Sequence, residues 1–235
     1  MNRALIFAGG KGTRMHIGDK PKQFLEIDNK AIIIYTLEKF QECDLVDDIV
    51  VVCVGGWESY LQNLIDNNDI KLNKVSKILT GGETGFDSRM IGLEYLNLTK
   101  ESNDDIVLIH DGVRPFISKE LITENINCAK KNKNAITVIK AIETVIVANA
   151  EMDEILNRND CYYARAPQTF NIGDIYSFYL KAKNDCRTDM IDCATIAQYC
   201  GAKLNYVFGS SENIKITTDI DFFAAIGLLD NKEKY

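Results

Sequence analysis

The chain has 235 residues, 46% hydrophobic and 26% charged, with 3 prolines and 15 glycines; collagen-like, low-complexity and disordered classes are excluded. Its 34 acidic against 27 basic residues leave a formal charge of −7, so any polyanionic ligand must meet a local basic cluster rather than a generally basic surface. Seven cysteines without a C-x-x-C pair, and only His16 and His110 as histidines, argue for a reducing cytoplasm and leave little material for a zinc site or a Ser-His-Asp triad.

In chain order, β-rich apolar runs alternate with segments of helical period. A strand is predicted at 4–8, a helix at 31–41, a strand at 48–54, a helix at 58–67, a strand at 76–80, a helix at 88–98, a strand at 105–110, a helix at 119–131 and a strand at 135–139. Helices at 172–183 and 189–199, a strand at 204–208 and a helix at 219–229 complete the pattern. This alternation predicts a three-layer α/β domain with a mainly parallel sheet, whose ligands bind at the carboxyl edge of the strands. The stretch 140–168 breaks the rhythm with the β-type alternation Thr144-Val145-Ile146-Val147 and then polar residues. It reads as an extended arm or hairpin that protrudes and buries its apolar side against a second subunit, which favours a homodimer, the alternative being a hairpin folded back on its own chain. Cys186, Cys193 and Cys200 recur every seven residues and read as one packed face of a helix. No signal-peptide pattern opens the sequence and no apolar run reaches the ~18 residues of a membrane span, so a soluble, unprocessed protein with no membrane partner is expected.

The strongest local signal is Phe7-Ala8-Gly9-Gly10-Lys11-Gly12-Thr13-Arg14-Met15, followed by Lys20-Pro21-Lys22-Gln23. Glycines past a buried strand let backbone N–H groups approach a ligand, and Lys11, Arg14, Lys20 and Lys22 face a single acid, Asp19. The pattern predicts a polyphosphate cradle. A dinucleotide fingerprint starting at Gly10 fails at Met15, and no G-x-x-x-x-G-K-[ST] exists.

The motif A-G-G-x-G-T-R-M followed by P-K-Q resembles the nucleotide-binding signature of the cytidylyltransferases that act on methylerythritol 4-phosphate or ribitol 5-phosphate. Further matches follow in the family's order: Gly81-Gly82 with Ser88, His110-Asp111-x-x-Arg114-Pro115, Glu143-Thr144, Arg158, Pro167-Gln168, Asp192 with Ala194, and Asn213-Ile214-Lys215-Ile216-Thr217. The resemblance implies a Rossmann-like nucleotidyltransferase domain spanning 1–235, with 140–168 as an arm for dimerisation and substrate binding. It implies transfer of CMP from CTP to a small polyol phosphate with release of pyrophosphate. Arg14, Lys22 and Lys215 would be the catalytic cations. Ala8, Gly9, Gly10, Gly12, Thr13, Gly81, Gly82, Ser88 and Asp111 would bind the nucleotide, with Asp111 also holding Mg²⁺. Arg114, Thr144, Arg158 and Asp192 would bind the acceptor, Thr144 and Arg158 from the arm of the neighbouring subunit.

Three departures from the family stand out: Gly85, where an Arg usually follows the glycine pair, and Arg165-Ala166 in place of Gln-Thr before Pro167. Ala8-Gly9-Gly10, Val113 and Thr13 lean toward ribitol 5-phosphate and a surface polymer such as teichoic acid or capsule. Methylerythritol 4-phosphate, in isoprenoid synthesis, is the alternative. Outside this class stand a non-catalytic nucleotide-binding protein and a sugar-nucleotide glycosyltransferase. The D-x-D spacing that the latter needs occurs in Asp219-Ile220-Asp221, at the start of a predicted helix.

Overall fold

A computed structural model of the chain describes residues 1–10, 20–148 and 153–232. In chain order the elements are β1 (Asn2–Ala8), β2 (Glu26–Ile27), β3 (Lys30–Ala31), α1 (Ile32–Gln41), β4 (Asp48–Cys53), α2 (Glu58–Asp66), β5 (Val75–Thr80) and α3 (Gly85–Leu98). There follow β6 (Ile106–Asp111), α4 (Lys119–Asn132), β7 (Asn134–Lys140), β8 (Ile146–Val147), β9 (Glu154–Ile155), β10 (Tyr162–Asn171), α5 (Ile172–Asn184), α6 (Cys193–Tyr199), β11 (Tyr206–Phe208) and α7 (Asp219–Lys232).

Seven strands form one sheet in the order β11-β7-β10-β6-β1-β4-β5. Every pairing is parallel except those of β10, which runs against both β6 and β7. Alternate residues of the central strands serve opposite faces. Ile6, Val51 and Leu108 pack with α1, α2 and α4 through Ile33, Leu37, Leu61 and Ile122. Leu5, Val50 and Val107 pack with α3, α5 and α6 through Leu93, Leu96, Ile175, Tyr179 and Ile196. Burial on both faces is why these strands read as unbroken apolar runs. A third cluster seats α7, through Phe222 and Ala225, on Leu25, Val113, Phe116 and Ile216 beside the carboxyl edge of the sheet. No described helix is long and apolar enough to cross a membrane.

Within the stretch 140–168, β8 and β9 pair as a short hairpin, but its last residues do not belong to an arm: from Tyr162 the chain enters the middle of the sheet as β10. Pro167 is tolerated there because the β10–β7 register shifts between Ala164 and Gln168, where a missing N–H breaks no ladder bond. The three evenly spaced cysteines do not share a helix. Cys186 sits in a left-handed turn at φ 57°, Cys193 begins α6, and Cys200 caps its end. α6 accordingly starts at Cys193, four residues later than expected, because Asp192 caps it by accepting from Thr195 N.

Candidate active site

The ends of β6, β1, β4 and β5 line up at the carboxyl edge, with Phe7 in register with Asp111, Ala8 with Cys53, and Cys53 with Thr80. A cavity of about 960 Å³ opens there. Gly9, Gly10, Lys22, Gly82, Ser88, Asp111 and Lys215 line it, and so do Ala8 and Gly81. Its volume suits a nucleotide-sized ligand.

The glycine turn after β5 is built for close approach. A Cβ on Gly82 would lie 2.5 Å from Asp87 Cβ, so no other residue fits without moving the start of α3. Thr84 and Asp87 cap that helix reciprocally. Ser88 is buried; its hydroxyl accepts from Gly82 N at 3.1 Å and donates to Thr84 O at 2.9 Å, which leaves one acceptor position unused in a residue that lines the cavity. On the opposite wall the buried Gln23 donates to Ala8 O at 2.6 Å and fixes the exit of β1. Among the described basic residues of the predicted cradle, Lys22 lines the cavity, whereas Lys20 donates to Glu26 and Tyr60. Lys11, Gly12, Thr13 and Arg14 lie outside the described residues.

Asp111 ends β6 and sits between two cations. Lys215 Nζ donates to its Oδ1 at 2.8 Å and Arg114 Nε to its Oδ2 at 2.8 Å. Burial would raise the carboxyl's pKa, but Lys215 and Arg114 outweigh it and hold Asp111 well below the usual carboxylate range. Lys215 is brought across by Ile216 N donating to Val113 O at 3.0 Å, and the loop is tied down by Asp221. The D-x-D spacing is thus a helix start in which Asp221 caps α7. Asp111 retains unfilled acceptor positions facing the cavity, a donor set that suits a Mg²⁺ otherwise held by phosphate oxygens and water. Burial pushes the neighbouring His110 imidazole down to about 4. The ring packs 5.1 Å from Phe40, with Nε2 3.3 Å from Arg114 O, so His110 shapes the strand end.

A second cavity of about 180 Å³ adjoins the first and shares Phe7, Arg89, Asp111 and Lys215 with it. Arg114, Arg165, Gln168 and Asp192 line its far side. Asn213 organises this wall: its carbonyl accepts from Arg114 and Arg165, each at 2.9 Å, and its amide donates to Ala166 O at 2.8 Å. Gln168 holds the 192–194 segment by accepting from Ala194 N and donating to Asp192 Oδ2. Asp192 therefore both caps α6 and faces the cavity.

Thr144 and Arg158 line neither cavity of their own chain. Arg158 follows the β8–β9 hairpin and donates to Ile142 O at 3.1 Å. Arg89 was not singled out by the sequence, because a single Arg in an amphipathic helix carries no signal of what it faces.

The family model described as IspD, 2-C-methyl-D-erythritol 4-phosphate cytidylyltransferase, matches residues 3–231. A ribitol-5-phosphate cytidylyltransferase of Vibrio parahaemolyticus is 45% identical over 99% of this chain and 98% of its own length. One from Streptococcus agalactiae is 42% identical over 99% and 97%. Among solved structures, the 4-diphosphocytidyl-2C-methyl-D-erythritol synthase of Anaerococcus prevotii superposes with a TM-score of 0.82 at 28% identity, covering 97% of this chain and 96% of that one.

Proposed function

The chain belongs to the 2-C-methyl-D-erythritol 4-phosphate cytidylyltransferase family, and from that premise we propose that it moves CMP from CTP to D-ribitol 5-phosphate, releasing pyrophosphate and forming CDP-ribitol. The observation that carries the acceptor is full-length identity of 42–45% to relatives named for ribitol 5-phosphate, against 28% to the methylerythritol synthase structure.

The larger cavity takes the nucleotide and the smaller the polyol phosphate, with Asp111 and Lys215 where they meet. An oxygen of the acceptor phosphate attacks the α-phosphorus of CTP; a new P–O bond forms as the bond to the pyrophosphate oxygen breaks. Nothing in this step requires a protein nucleophile, so the residues supply position and charge. Lys22, and Arg14 from the glycine-rich segment, hold the triphosphate, while Lys215 faces the α-phosphate from the other side. Asp111 would hold Mg²⁺, which supplies charge neutralisation across the phosphate oxygens when bound. Arg114 and Asp192 fix the polyol end.

Thr144 and Arg158 reach the acceptor from a second copy of the chain, which makes the enzyme a homodimer. Ile142 and Ile155 around the hairpin are 80% and 69% exposed, an apolar surface consistent with burial against a partner. The domain spans the whole chain, with the hairpin region as its dimer arm, and the seven free cysteines favour the reducing cytoplasm. The test is pyrophosphate release with Mg²⁺ and CTP, comparing ribitol 5-phosphate, methylerythritol 4-phosphate and glycerol 3-phosphate. Strong turnover of ribitol 5-phosphate alone supports the reading, and preference for methylerythritol 4-phosphate overturns it.

A further inference from the structure

Arg89, on the second turn of α3, lines both cavities. Its guanidinium rests beside Gly85, one turn back on the same helix face: a Cβ on Gly85 would lie 3.7 Å from Nη2 and 3.9 Å from Nη1. Gly85 is the position where the family pattern carries an Arg. Here the side chain is absent at 85, and a guanidinium four residues later stands next to the space that side chain would enter.

The charge has no carboxylate partner. Nη2 donates to Ile191 O at 2.6 Å, and the buried Nε has no hydrogen-bond partner among the described residues. No ion pair of Arg89 occurs among the described residues. Its polar neighbours Tyr179 and Cys193 are kept neutral by burial. Both acids nearest the seam are engaged elsewhere, Asp111 by Lys215 and Arg114, and Asp192 by Gln168 and Thr195. A guanidinium with five donors, set between two cavities and short of acceptors, is built for an anion that arrives with the substrate.

We propose that Arg89 binds the acceptor's phosphate at the seam of the two cavities, replacing from the second turn of α3 the cation that Gly85 lacks. This rests on the cytidylyltransferase reading. The acceptor phosphate must lie between the α-phosphorus of CTP and the wall formed by Arg114, Arg165 and Asp192, and Arg89 is tethered to that wall through Ile191. Lys22 belongs to the nucleotide side only.

The test compares Arg89→Met, Arg89→Lys and the double variant Gly85→Arg with Arg89→Met. Melting temperature, CTP affinity by calorimetry, and the acceptor KM are measured for each. Arg89→Met is expected to raise the acceptor KM about 10- to 100-fold with CTP affinity within about twofold, Arg89→Lys to recover part of it, and the double variant to restore it from position 85. An unchanged acceptor KM in Arg89→Met overturns the proposal. So does equal damage in Met and Lys with no rescue by Gly85→Arg, which would mark Arg89 as a strut for Ile191. Calorimetric titration of inorganic phosphate into protein with CTP and Mg²⁺ separates this from the acceptor's identity. If ribitol 5-phosphate is not turned over, phosphate binding that vanishes in Arg89→Met still supports the site, and binding unchanged by the variant overturns it.

Discussion

Lys215 Nζ donates to Asp111 Oδ1 at 2.8 Å although 104 residues separate them in the chain. The pair closes the boundary between the two cavities, and each residue reaches it from a separately anchored element: Asp111 from the end of β6, Lys215 from the loop before α7. Lys215 is partly exposed but Asp111 is largely buried, so removing the lysine leaves a carboxylate with Arg114 as its remaining cation and costs about 1–3 kcal/mol of stability. Lys215→Met should therefore lower kcat by about 10²–10³, with only a moderate fall in melting temperature. Rate assays beside thermal melts check this; a parallel loss of both would reduce Lys215 to a structural role.

What could be read from the sequence follows what is local. Strands β1, β4 and β6 are apolar on both faces and announce themselves; Gly9-Gly10 follows β1 directly and Asp111 ends β6. β10 stayed hidden because Tyr162 to Gln168 carries Arg165, Pro167 and Gln168 inside the sheet, and a proline-containing polar run argues against a central strand. Only the bulge opposite β7 makes it possible. Arg89 was illegible for another reason: its meaning lies in Gly85 on its own helix and in Ile191, 102 residues away. The even spacing of the three cysteines was coincidence, since a periodicity test cannot see that Cys186 occupies a left-handed turn.

Lys22 opens the short turn Lys22–Phe24 and faces the larger cavity. Lys22→Ala should cost about 10²–10³ in kcat, the scale of one preorganised donor to developing charge. Denaturant melts should show little change in stability. Full activity in the folded variant would remove Lys22 from the triphosphate site.

The chain's one tryptophan reports on the same turn. Trp57 stacks on Phe24 at 5.2 Å with the rings 18° apart, and Phe24 follows Lys22 and Gln23 directly. Titration with CTP should shift Trp57 emission saturably, whereas ribitol 5-phosphate alone should leave it unchanged. Emission that stays flat while calorimetry detects CTP binding would show that the turn does not respond to the triphosphate.

Asp221 accepts from Thr217 N at 2.9 Å, Thr218 N at 2.8 Å and both hydroxyls, completing a capping box that fixes the loop carrying Lys215. Burial would raise its pKa, but these hydrogen bonds outweigh it and hold the carboxyl below its ordinary value. A depressed folded pKa makes the stabilisation fully present above the unfolded value of about 3.9, and it is lost as pH falls through the lower folded value. Asp221→Asn should cost about 1 kcal/mol at pH 7, and its stability should converge on that of the parent as the solution is acidified into that window. A deficit that stays constant to the lowest pH at which the protein folds would contradict the assignment.

The arm can be tested by complementation. Arg158 lies outside both cavities of its own chain, and Lys22 lies inside one, so in a dimer with exchanged arms the two residues serving one site come from different chains. Arg158→Ala should raise the acceptor KM and leave CTP affinity intact, whereas Lys22→Ala should lower kcat. Unfolding the two variants together and refolding them should then produce heterodimers in which one site has both side chains and the other has neither. Random pairing makes half of the dimers mixed, and one of two sites in each is whole, so the mixture should regain about a quarter of the parent rate at low acceptor concentration. A mixture no more active than the average of the separate variants would mean that Arg158 serves its own subunit or no site at all.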